Sequence, residues 1–96
     1  MASFTTRVVL HNADPDDYTD VLHPAMAKQG FTRTIKGDSG KTYDMPDAEY
    51  DFVGDKTRDE VLERAKTATQ TTKKEYAIFV TEAVGRCWYG LDTATK

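Results

Sequence analysis

The stretch Phe4-Thr5-Thr6-Arg7-Val8-Val9-Leu10-His11 decides how this chain folds. Phe4, Thr6, Val8 and Leu10 fall on one face of an extended segment, and Thr5, Arg7, Val9 and His11 on the other. Such alternation reads as a half-buried strand, with the Phe4 face inward. The next residues, Asn12-Ala13-Asp14-Pro15-Asp16-Asp17, carry helix-start chemistry. Asn and Asp side chains cap free amides, Pro fits a first turn, and carboxylates oppose the positive end of the helix dipole. Tyr18, Val21, Leu22, Ala25 and Met26 then keep the i, i+3, i+4, i+7, i+8 stripe of an amphipathic helix, which Gly30 ends. Pro24 interrupts it, because it cannot bond the carbonyl of Asp20. A kinked or offset helix is expected in preference to two separate ones.

Phe31 to Lys36 alternates again, Gly37-Asp38-Ser39-Gly40 is a turn, and Lys41-Thr42-Tyr43 returns as a hairpin arm. Met45-Pro46-Asp47 breaks the pairing. Ala48 to Val53 resumes it, with Ala48, Tyr50 and Phe52 inward and Glu49, Asp51 and Val53 outward. Thr57-Arg58-Asp59-Glu60 is a capping box for a second helix striped by Val61, Leu62, Ala65, Ala68 and Thr69. Tyr76 to Thr81 is the most strand-like stretch, with Ala77, Phe79 and Thr81 favoured outward. Arg86 to Leu91 is expected as a last short strand, and Asp92 to Lys96 as a frayed end.

The order β-α-β-β-α-β predicts an α+β fold of the ferredoxin-like split β-α-β plan. Two helices cover one face of an antiparallel sheet, with an extra hairpin arm and a C-terminal strand. Right-handed crossovers put the first strand at the centre. The 96 residues form a single expected domain, residues 1–96. The other sheet face lacks a cover and must meet water or a partner.

That open face carries the candidate chemistry. Arg7, His11 and Asp51 suit metal-free phosphodiester cleavage. A histidine moves the proton, a carboxylate fixes its tautomer, and a guanidinium holds phosphate. His11 and Asp51 are therefore the candidate catalytic pair. The same charges also suit a wet sheet face in which opposite signs stabilise neighbouring strands. Arg7, Arg33, Lys36 and Arg86 are the candidate substrate cations, joined by Lys41 near the turn. Trp88 and Tyr89 offer either rings for base stacking or packing at a sheet edge. Asp14, Asp16 and Asp17 read as caps before they read as metal ligands, and Leu10 and His11 stand where a two-metal nuclease would place an acid. His23, beside Pro24 on a helix flank, is expected in solvent.

No metal and no cofactor is expected. The one cysteine, Cys87, forms no intrachain disulfide and is expected to pack as a small apolar residue in a strand. No apolar run approaches the ~20 residues of a membrane span, and the N-terminus carries no secretory pattern. A cytoplasmic protein is expected. Thirteen Lys and Arg against sixteen Asp and Glu, a formal charge of −3, argue against sequence-blind phosphate binding by bulk charge.

Phe4-Thr5-Thr6-Arg7-Val8, Met26-Ala27-Lys28-Gln29-Gly30-Phe31, Met45-Pro46-Asp47-Ala48-Glu49-Tyr50, Val80-Thr81-Glu82 and Gly85-Arg86-Cys87-Trp88-Tyr89-Gly90-Leu91 together resemble the GhoS family, over nearly the whole chain. The resemblance implies a ferredoxin-like fold. It also implies an antitoxin endoribonuclease that destroys the messenger of a small membrane toxin in type V toxin–antitoxin systems. No catalytic residue transfers with it. Two functions are thus expected. One is a ribonuclease acting on single-stranded messenger RNA, and the other is a non-enzymatic module, from a phage or other mobile element, that forms a homodimer through its open sheet.

Overall fold

The computed structural model describes residues 2–37, 39–46 and 48–94. Strand β1 (Ala2–Leu10) is central in a three-stranded antiparallel sheet, flanked by β4 (Glu49–Gly54) and β5 (Tyr76–Ala83). β2 (Thr34–Lys36) and β3 (Thr42–Asp44) form a separate two-stranded hairpin. α1 (His23–Lys28) and α2 (Arg58–Thr69) pack on one side of the sheet, in one core with Phe4, Val8, Leu10, Tyr50 and Phe52. The alternation of β1 holds: Phe4, Thr6 and Val8 are fully buried, whereas Arg7 is exposed. The outward set of β5 is Ala77, Phe79 and Thr81, as expected.

The first helix solves the Pro24 problem by widening. Asp17–Leu22 is a π-helical stretch running directly into α1, and the His23 amide bonds the Tyr18 carbonyl. The wide turn supplies the offset that a proline ring requires. The expected stripe delivers Leu22 and Met26 to the core, but Val21 is 36% exposed. At the end of α1, Gly30 adopts φ +95°, and a Cβ there would lie 3.2 Å from the Phe52 ring. Conformation and space both call for glycine.

Thr57 caps α2 as its sequence predicts: its hydroxyl accepts from the Glu60 amide at 3.1 Å, and the Glu60 carboxylate accepts from the Thr57 amide at 2.8 Å. The backbone hydrogen bond from Thr57 holds the Glu60 carboxyl below its usual range.

The hairpin arm is shorter than expected. Thr32 pairs with Asp51 beside β4, and the chain then bends at Arg33 and leaves the sheet. Asp38, in the expected turn, and Asp47, in the expected break, lie outside the described residues.

The expected C-terminal strand over Arg86 to Leu91 does not form. With Gly85 before it and Gly90 at φ +83°, this segment runs as an irregular strap rather than a regular ladder. It reaches the hairpin, where the Asp44 amide bonds the Asp92 carbonyl and the Ala94 amide bonds the Thr42 carbonyl, each at 2.9 Å. Residues 92–94 are therefore held rather than frayed; Thr95 and Lys96 lie outside the described residues.

Candidate functional site

Strand register arranges the helix-free face of the sheet into rows. Glu49, Arg7 and Phe79 form one row across β4, β1 and β5; Asp51, Thr5 and Thr81 form the next; Val53, Ser3 and Ala83 the third. Phe79 is 70% and Val53 51% exposed, large apolar side chains on the two outer strands of an uncovered face.

The charges on this face are matched. Arg7 Nη1 lies 3.5 Å from Glu49 Oε2, in a pair whose Arg side is more than half exposed. Arg86 arrives from the strap over the second row. Its Nε donates to Thr5 Oγ1 at 2.8 Å, and its Nη2 donates to Asp51 Oδ1 at 2.9 Å. These side chains are only 21% and 14% exposed, so this pair is the better shielded of the two. Two cations and two carboxylates leave the face near neutral.

The sequence-predicted site residues do not converge. His11 sits in the exposed turn beyond β1, its amide bonded to the Glu75 carbonyl at 2.8 Å. Asp51 lies opposite Thr5, six residues from His11, which at strand rise is on the order of 20 Å. The expected catalytic pair is not assembled in this structure. Arg33 does not reach across the open face. Its Nη1 donates to the Glu49 carbonyl at 2.7 Å and the Pro46 carbonyl at 3.0 Å, and its guanidinium stands 5.6 Å from the Tyr50 ring centre. It clamps the loop before β4. Lys36 is exposed on the hairpin and lines a cleft of about 380 Å3 with Ser3, Ile35, Arg86 and Trp88. Arg86 and Asp51 are the two predicted site residues that touch each other, as a latch rather than a free site.

Other expectations change. Cys87 is exposed on the strap rather than packed in a strand. Trp88 stands edge-on to Tyr43, ring centres 5.5 Å apart, while Tyr89 is fully exposed. His23 is half-buried, and its Nδ1 lies 2.6 Å from the Tyr50 hydroxyl. Burial pushes the Tyr50 phenol above its ordinary range. The missed signal was Tyr50 itself: an inward tyrosine needs a hydroxyl partner, and the flank of the first helix supplies it. Among the described residues, no group of three His, Cys, Asp or Glu side chains could hold a metal ion, and no helix is long and apolar enough to cross a membrane. Asp17 serves its helix start, accepting from the Asp14 amide at 2.9 Å.

No protein-family model and no curated protein matches this sequence. The chain is an α+β protein with two helices against one side of a three-stranded antiparallel sheet and a two-stranded hairpin beside it.

Proposed function

We propose that this chain is a non-enzymatic interaction module that works through its open sheet. The observation that carries the reading is the exposure of Val53 and Phe79 on a face whose arginines are already matched by Glu49 and Asp51. Polyanions bind where unneutralised cations gather, and a near-neutral face with apolar side chains suits a protein surface better. The split β-α-β plan of ferredoxin-like folds fits this reading. The order β4-β1-β5, with Thr32 bridged to Asp51 outside β4, supports that plan.

The test measures association of the purified chain beside Val53→Ser and Phe79→Ser. Association weakened by these changes, with the fold kept, supports the module. Association indifferent to both removes the face as the contact and leaves only the edge of the sheet, and a chain that stays monomeric overturns the module.

A second reading, the antitoxin-type endoribonuclease implied by the resemblance to the GhoS family, draws support from one place. Lys36, Arg86 and Trp88 line the same cleft, joining cations to an aromatic ring. It predicts salt-sensitive binding of a labelled single-stranded RNA, weakened by Lys36→Ala, and cleavage of that RNA assayed with and without chelator. RNA left unbound at low salt removes it.

A further inference from the structure

The two edges of the sheet are treated differently. Beside β4, Thr32 exchanges backbone hydrogen bonds with Asp51, at 2.9 and 2.8 Å, and the Arg33 guanidinium bonds the Glu49 carbonyl. That edge is covered by the chain itself. β5 has β1 as its neighbour on one side, and no described segment makes a backbone hydrogen bond to its other side. The strap does not shield it, because it turns from the end of β5 across the open face to Thr5 and Asp51. Edge strands are ordinarily blunted by proline, glycine, inward charge or a bulge. Within β5, Tyr76-Ala77-Ile78-Phe79-Val80-Thr81 has no proline, no glycine and no charge; Glu82, near the end of the strand, carries its one charge.

We infer that this edge pairs with the same edge of a second copy, antiparallel about a two-fold axis at Ile78. The two sheets then join into one of six strands. This rests on the reading that the sheet is the working surface, and names both its partner and the part of the sheet that meets it.

The register follows from two conditions. Directly opposed residues of an antiparallel pair share a face, so the axis must pass through a residue position. With Ile78 on the axis, Tyr76 faces Val80 of the partner subunit on the helix side, continuing the apolar layer. The ladder continues past Tyr76 to Glu75, whose carbonyl accepts from the His11 amide, so Lys74, at the bend just before it, comes within reach of Glu82 of the partner subunit, twice by symmetry. An axis at Phe79 would instead set Tyr76 against a glutamate and lose both charge pairs. Lys74 and Glu82 now reach Asp17 and Arg58 only at 3.8 and 3.9 Å, the first a half-buried pair and the second an exposed one, both too long for a close charged hydrogen bond. On the open face Phe79 meets Ala77 of the partner subunit. Two Phe79 rings then flank the axis, and the bare surface is extended rather than consumed.

Sedimentation of the whole chain tests this, with five variants. Lys74→Glu and Glu82→Lys should each weaken the dimer, by roughly tenfold for two pairs turned from attraction to repulsion, and the double swap should restore it. Ile78→Cys, in a Cys87→Ser background, should form a disulfide-linked dimer under mild oxidation, because residue 78 alone meets itself. A monomer at every concentration overturns the inference. So does a dimer without the residue-78 crosslink, or a double swap that restores nothing. Val53→Lys separates the two readings. Val53 lies on the far strand, so a dimer broken there but indifferent to the charge swaps overturns edge pairing while the open-face module stands.

Discussion

Cutting the Arg86–Asp51 latch should loosen the strap from the sheet. Arg86 donates to both Thr5 and Asp51, and both members of the ion pair are largely shielded from solvent. A charged hydrogen bond contributes about 1.5–3 kcal/mol, so Arg86→Ala should lower the unfolding free energy by about 2 kcal/mol. For a chain of this length that is a fall in melting temperature of about 10 °C. Asp51→Ala should lose a similar amount, because it leaves the guanidinium half-buried without its counter-charge. The double variant should lose little more than either single one, giving a coupling energy of about 1–2 kcal/mol in urea titrations. Trp88, the one tryptophan, rides on the same strap against Tyr43. Its emission should shift to the red in Arg86→Ala under native conditions. Losses that add to within about 0.3 kcal/mol, with unshifted emission, would refute the latch.

Other outcomes follow from single groups. Thr6 is fully buried, and its hydroxyl has no hydrogen-bond partner; Thr6→Val should therefore raise stability by about 1 kcal/mol in denaturant titration, and a loss of that size would contradict the burial argument. Tyr50→Phe should cost about 1 kcal/mol by removing the hydrogen bond between its hydroxyl and His23 Nδ1. Burial makes the folded chain hold the Tyr50 proton more tightly than the unfolded chain does. That contribution is complete below the ordinary phenol range and is lost as pH rises above about 10, so the alkaline fall in melting temperature should be shallower in Tyr50→Phe. Thr57→Ala should cost about 1 kcal/mol through the lost cap, measured by urea titration. Glu60 has its folded-state titration depressed, so its contribution is present above the unfolded carboxylate range and fades as pH falls through the folded one. Glu60→Gln should flatten the acid limb of stability, and an unchanged limb would argue against the capping box.

What the sequence revealed was what a few neighbouring residues encode. The period of two in Phe4 to Leu10 fixed which face of β1 is buried, and the Thr57–Glu60 spacing placed the start of α2. Pro24 marked the site of a distortion, though not its π-helical form. The strap was misread because Arg86-Cys87-Trp88-Tyr89 looks like a strand, while its course is set by contacts far away in sequence. Arg86 meets Thr5 across 81 positions. The same holds for Arg33, whose carbonyl partners gather only after β4 has docked. For the candidate site, the sequence identified the face and its charges. It could not tell a free arginine from one already matched, nor show that His11 lies beyond the end of β1 and far from Asp51.

Sedimentation equilibrium of the unaltered chain, at low and at high salt, bears most directly on whether the sheet, by its bare face or its free edge, is a protein-binding surface. The account predicts a reversible rise from the monomer mass of 10.8 kDa toward twice that value with increasing concentration, persisting when salt screens surface charge. A single species at the monomer mass across the whole range, in both buffers, would contradict it.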